Sequence, residues 1–236
     1  MLGLLGGCSG GDDDPDQGER VEQAVRETFA AYKAKDADGY LNGWTEKGID
    51  RTFGVPMDEA HHVPPSIGGV RSFHESTLDL RELSRVHVAG DRATVEARLI
   101  ENHVIRTLGL TLVREDGKWL VDALHETASE PAENAQRVRV QLSEYRIGLS
   151  PMPAGGTNLE LRVENRGRET HELLLLRLHP DADESIEWIH AIAAGATRRL
   201  ALTQLAPGRY ALVCNRLAPD NSPHSSKGMR ATFTVR

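Results

Sequence analysis

The sequence predicts two domains in series, an α+β unit followed by an all-β sandwich. Three observations carry this. Apolar side chains recur at helical spacing over residues 20–35, the period changes to two from Leu80 onward, and from Val138 short alternating segments recur between Gly and Pro turns. A length of 236 residues gives room for two ordinary cores. Charge changes sign in the same region: residues 1–136 carry 14 Lys and Arg against 25 Asp and Glu, and residues 137–236 carry 14 against 10. No dense basic patch interleaved with aromatics occurs, so nucleic acid is not expected as a partner.

The chain starts MLGLLGGCSGG, in which Leu5-Gly6-Gly7-Cys8 resembles a bacterial lipobox. That resemblance implies lipidation of Cys8 and an extracytoplasmic protein anchored to a bacterial membrane, on its periplasmic or cell-surface side. The apolar run itself is well short of the ~20 residues of a spanning helix. Residues 9–18, with Asp12-Asp13-Asp14, have nothing to pack and suit a tether, so 1–18 is read as signal remnant and tether. Cys214 is the other cysteine. Each has a separate explanation, and a disulfide between them is not expected.

Residues 19–129 form the first expected domain. Val21, Ala24, Val25, Phe29 and Tyr32 make one face of a helix, broken at Asp36-Ala-Asp38-Gly39. A shorter helical piece containing Trp44 follows, then an irregular stretch over 48–69 with His61-His62, read as a surface or pocket-rim pair. Strands are expected over 83–89, 93–107, 108–114 and 119–125, with Glu115-Asp-Gly-Lys118 as a hairpin turn. His74, His87, His103 and His125 are scattered and are not read as ligands. A helix, small helical pieces and long strands ending in DGKWLVDAL resemble the NTF2-like (SnoaL-like) superfamily. The resemblance implies a curved sheet wrapped as a cone around a pocket that, in different members, binds a small apolar ligand, hosts catalysis or is filled.

Residues 130–137 are polar and Pro-containing, the expected linker, and 138–236 form the second domain. Its expected strands are 138–147, 158–164, 172–178, 185–192, 197–205, 210–214 and 231–235. The stretch YALVCNRLAPDNSPHSSKGM delivers Cys214 from a strand end and brings His224 and Met229 before the last strand. A thiolate, an imidazole and a thioether are the soft donors that suit copper, and His171 upstream offers the second imidazole.

Asn165-x-Gly167-x-x-x-His171-Glu, Pro207-Gly208-x-Tyr210-x-x-x-Cys214 and His224-x-x-x-Gly228-Met229 resemble the cupredoxins. The resemblance implies a Greek-key sandwich with a type 1 copper site. His171, Cys214 and His224 would be the equatorial ligands and Met229 the weak axial one. Nine residues, 215–223, separate Cys214 from His224 where the best-known members have only a few. This insert is polar and rich in turn residues, so it is expected to bulge outward. Met152 and the pair Arg198-Arg199 are read as surface residues, the pair also as a candidate dock for an acidic partner.

The expected function is therefore a membrane-tethered copper protein that passes one electron to and from a redox partner protein. The alternative is a small-ligand-binding lipoprotein whose first domain holds an apolar ligand and whose sandwich is metal-free scaffold. No acid/base constellation is visible, which argues against an enzyme.

Overall fold

The computed structural model describes residues 15–153 and 155–236. Cys8 and most of the expected tether lie outside the described residues. The chain is mostly β-sheet with few helices, and no described helix is long and apolar enough to cross a membrane. It divides into two compact units. The first holds the chain up to His62 with Glu82–Ala97 and Leu108–His125, and the second holds Val63–Arg81, Arg98–Thr107 and Glu126–Arg236.

In the first unit, α1 (Pro15–Ala34) buries Val21, Val25, Phe29 and Tyr32, a stripe three or four residues apart, while Ala24 is half-buried. Three short helices follow: α2 (Ala37–Leu41), α3 (Glu46–Phe53) and α4 (Met57–His62). The last two occupy the stretch expected to be irregular. The starts of α2 and α3 explain themselves locally. Asp36 accepts from the Gly39 N–H at 2.9 Å and Thr45 Oγ1 accepts from the Gly48 N–H at 2.8 Å, each satisfying a first-turn donor. Gly54 ends α3 in the left-handed region. Tyr32, Tyr40 and Trp44 pack edge to face at 5.1 and 5.9 Å, filling the interior with aromatic rings.

Strands β1 (Leu78–Ala89), β2 (Arg92–Glu101), β3 (Val104–Glu115) and β4 (Lys118–Thr127) pair in chain order. One boundary differs from the sequence reading. The break expected after Thr107 lies instead at Asn102-His103, where both residues take positive φ, 49° and 73°. Asn tolerates that region and supports a tight turn without glycine.

The second unit is a sandwich. One of its layers is the run β10-β7-β5-β6, part of an eight-stranded sheet, and the other is the four-stranded sheet β12-β11-β8-β9. The strands are β5 (Gln136–Ser143), β6 (Arg146–Ser150), β7 (Leu159–Asn165), β8 (His171–Leu178), β9 (Glu184–Ile192), β10 (Thr197–Leu202), β11 (Gly208–Val213) and β12 (Arg230–Val235). The single strand expected over 138–147 is a hairpin of β5 and β6, turning at Glu144-Tyr145 with Tyr145 at φ 62°. Alternation puts Val138, Val140, Leu142, Leu161, Val163 and Leu200 on the inner face of one sheet. They meet Leu173, Leu175, Ile186, Tyr210, Leu212 and Phe233 from the other in one buried cluster. Cys214 and Met229 belong to the same cluster, so the candidate ligands sit at the edge of a packed core.

Candidate metal centre

Three of the four candidate ligands stand where a strand begins or ends, and His224 lies in the loop between two strands. His171 is the first residue of β8 and lies opposite Ile192 of β9. Cys214 follows the last residue of β11. His224 opens a single 3-10 turn, His224–Lys227, and Met229 immediately precedes β12. The two ends of the long loop are stitched together by backbone. Cys214 N–H donates to Met229 O at 3.2 Å, Met229 N–H to His224 O at 3.0 Å, and His224 N–H to Arg216 O at 2.8 Å.

The insert closes on itself. Leu217 bridges Pro223, Ala218 N–H donates to Ser222 O at 2.8 Å, and Asn221 N–H donates back to Ala218 O at 2.9 Å. Lys227 Nζ ties the tip down through Asp220 at 2.6 Å. The nine residues thus form a small hairpin of their own and return His224 beside Cys214.

Among the described residues, one group of His, Cys, Asp or Glu side chains is close enough to hold a metal ion: His171, Cys214 and His224, with ligand atoms all within 4.8 Å of one another. The Cys214 Sγ faces Nδ1 of both imidazoles, at 3.9 Å from His171 and 3.6 Å from His224. With bonds of about 2.0 Å to nitrogen and 2.3 Å to sulfur, donors around a trigonal ion stand about 3.7 Å apart, so the spacing fits a metal. His171, Cys214 and Met229 are 0% exposed and His224 1%, so water reaches none of them freely.

Electrostatics favour the same use. Burial pushes the Cys214 thiol up. Burial, helped by the neighbouring His224 ring, pushes His171 below the usual imidazole range. His171 therefore stays a neutral donor, and a cation at this point offsets the cost of a buried thiolate.

Of the surrounding shell, the sequence segment leading to His171 already held Asn165, Gly167 and Glu172, but not their contacts. Asn165 braces the loop before His171: Nδ2 donates to Glu169 O and Ile192 O, both at 2.8 Å, and Oδ1 accepts from Gly167 N–H at 2.9 Å. Glu144, from the β5–β6 turn, accepts the N–H groups of Arg168 and Glu169. Those backbone donors, Arg168 first, with its own N–H, bring its carboxyl down to about 2. Glu169 Oε2 stands 3.2 Å from His224 Nε2, and the Tyr145 ring meets the His224 ring edge on at 5.2 Å. Glu172, next to His171, accepts from Asn215 N–H at 2.7 Å and from the Trp188 indole N–H at 3.1 Å. The sequence signals for this shell are the Asn165-x-Gly167 segment and adjacency, since Glu169 and Glu172 flank His171.

Other histidines serve elsewhere. His61 pairs with Asp38 at 3.4 Å, His74 packs on Phe73, and His190 stacks on Trp188 at 3.9 Å. Met152 is exposed. In the first unit a cleft of about 520 Å³ lies beside Trp44 and Met57, with Asn42, Thr45 and Lys47 on its walls.

No protein-family model matches the chain, and no curated protein does. Among solved structures it is similar to reduced auracyanin from Roseiflexus castenholzii, 17% identical, over 44% of this chain and 99% of that one, with a TM-score of 0.34. Auracyanin B is 19% identical over 47% of this chain and 93% of its own, also at 0.34. An NTF2-like protein of unknown function from Shewanella baltica is 16% identical over 49% of this chain and 98% of its own, at 0.31.

Proposed function

We propose that the protein is an NTF2-like unit joined to a cupredoxin-like sandwich that binds one copper ion and carries one electron at a time. Its place is extracytoplasmic, tethered to a bacterial membrane through a lipid on Cys8. The observation that carries the copper reading is the convergence of the Cys214 thiol and the His171 and His224 Nδ1 atoms within 4.8 Å in a buried pocket. His171, Cys214 and His224 would hold the ion, and Met229 would be the weak fourth ligand. Bound there, copper supplies a one-electron couple at a thiolate–imidazole centre.

The chain's own part is to keep the donors still and dry. His171 is fixed by a central strand and by the Asn165 and Glu144 braces. Cys214 and His224 are fixed by the backbone bonds that close the β11–β12 loop. A donor set that cannot rearrange suits both oxidation states, which keeps the electron's passage fast. The redox partner would be a protein.

Loading the purified protein with Cu(II) is expected to give one bound copper and a strong visible thiolate-to-copper band, both lost in Cys214→Ser. Absence of the band together with absence of stoichiometric copper would overturn the reading. The tether is tested apart: Cys8→Ala is expected to move the protein from the membrane to the soluble fraction, and continued membrane retention would exclude that anchor.

A further inference from the structure

The outer face of the β10-β7-β5-β6 sheet carries arginines in an arrangement that packing does not explain. Alternation turns Arg137 and Arg139 of β5, Arg162 of β7 and Arg199 of β10 away from the core. The register then sets Arg139 directly opposite Arg162, and Arg162 directly opposite Arg199. Three guanidinium side chains thus stand in one row across adjacent strands, about 4.8 Å from one to the next. Like charges placed opposite each other destabilise a sheet.

Carboxylates offset this row only in part. Glu160 lies in the next row, opposite Arg137, and meets Arg137 at 3.1 Å and Arg199 at 3.7 Å. Glu164 lies in the row on the other side and meets Arg162 and Arg166 at 3.0 Å and Arg139 at 3.9 Å. Two carboxylates therefore serve five arginines. They sit low on the sheet, at 10% and 16% exposure, whereas the arginine side chains are 55–85% exposed. In four of the five pairs the closest guanidinium nitrogen is Nε, so the Nη edge, which forks onto paired oxygens, is left for another anion.

These side chains wall a cleft of about 660 Å³, with Arg137, Arg139, Arg162 and Arg199 around it, Ser150 at the end of the row and the acids Glu130 and Glu160 at its margin. A cleft of this size exceeds what one carboxylate fills. Its excess positive charge and forked donors suit an anion with several oxygens and more than one charge. We propose that this cleft binds a phosphate-bearing molecule, either a soluble phosphate ester or a phospholipid headgroup. The site is separate from the metal centre and does not rest on copper being bound there.

The test uses the full chain with Cys8→Ala, so that a lipid anchor contributes nothing. Inorganic pyrophosphate is titrated by calorimetry at low ionic strength. In parallel, the protein is sedimented with vesicles of phosphatidylglycerol and phosphatidylcholine, and with phosphatidylcholine alone. Binding of pyrophosphate identifies a soluble ligand class, and binding only to the phosphatidylglycerol vesicles identifies a headgroup. Either is expected to weaken at least tenfold in Arg162→Gln and in Arg139→Gln. Arg162→Gln removes the middle charge of the row, so it is expected to fold with an unchanged or higher thermal midpoint, which keeps the loss interpretable. No binding of either probe, binding that survives both substitutions, or binding of polyglutamate with none of pyrophosphate or vesicles would overturn the proposal.

Discussion

Glu169 Oε2 lies 3.2 Å from His224 Nε2, while the Cys214 sulfur faces Nδ1 of the same ring at 3.6 Å. His224 Nε2 makes no hydrogen bond to Glu169, so the carboxylate acts by charge: this close to Nε2, it favours the proton there and leaves the Nδ1 lone pair for a metal. Glu169→Ala is therefore expected to lower metal affinity by about 10- to 100-fold without unfolding the protein. Chelator competition reads the affinity, and nitrogen NMR of the metal-free protein reads the His224 tautomer. An unchanged tautomer and affinity would remove Glu169 from the site.

A side chain at Gly167 would have to push Glu144 aside and crowd His171. A Cβ there would come within 2.5 Å of Glu144 Oε1 and 3.0 Å of His171 Nε2. Gly167→Ala is expected to cost about 1–3 kcal/mol, as overpacking does, and to weaken metal binding by displacing His171. Denaturant melts and copper titration check both. Full stability with full affinity would show that the loop gives way freely.

Glu172 joins the Cys214 loop to the surface, because one oxygen holds Asn215 N–H and the other holds the Trp188 indole. In Glu172→Ala, Asn215 N–H is expected to exchange with solvent faster and Trp188 fluorescence to move to the red. A Trp188→Phe protein is expected to keep normal exchange at Asn215, since Glu172 retains that bond. Equal acceleration in both would mean that packing of the indole, rather than the carboxylate, holds the loop.

Metal uptake is expected to strengthen with pH. Because burial pushes the thiol up, the metal-free protein holds a proton on Cys214 at neutral pH, and binding must release it. Apparent affinity should rise about tenfold per pH unit while one proton is released. A flat profile between pH 6 and 8, on the order of that range, would show that the thiolate is already formed.

A second buried charge group lies in the same unit. Arg106 meets Glu101 at 2.8 Å, Glu126 at 3.1 Å and Glu187 at 2.5 Å. Burial works against its charge, but Glu187, Glu101 and Glu126 together outweigh burial and keep it protonated. For Glu187, burial raises the carboxyl above its usual range, and Arg106 counters only part of that. Arg106→Ala is expected to cost about 3–5 kcal/mol, because it strands buried carboxylates. Glu187 has the opposite sign. As pH rises past the ordinary carboxyl range the unfolded chain ionises first, so the native state loses stability until Glu187 ionises too. Glu187→Gln should therefore gain on the wild type as pH rises, measured by urea melts at acidic and neutral pH. A gap that does not change with pH would deny the shift.

Much of this arrangement was legible in residue types and spacing. Helical periodicity located the buried face of α1, and the strand-end positions of Cys214 and His171 follow from alternation that stops at a turn. Two turns are hard to read because they lack glycine: Asn102-His103 and Tyr145 reach positive φ, and only Asn102 is an ordinary turn residue. α3 and α4 were hidden in a stretch whose prolines and polar residues read as irregular, though Thr45 and Gly48 form an ordinary cap there. The carboxylates around the ligands were illegible for a different reason. Glu144, Glu169 and Glu172 look like solvated charges until the fold brings up their partners from 16 to 55 residues away. The arginine row needed the register of three strands, which no single segment contains.

The burial of all four candidate ligands has a kinetic side. With all four side chains buried, an ion would enter or leave through local opening of the segments around them, and the 215–223 hairpin, which carries His224 back beside Cys214, is one such segment. Exchange would then track the frequency of local opening rather than the strength of the bonds formed. Two proteins with the same donors and the same affinity could hold their ion for very different times, and here the Asp220–Lys227 ion pair at the hairpin tip would act as the latch.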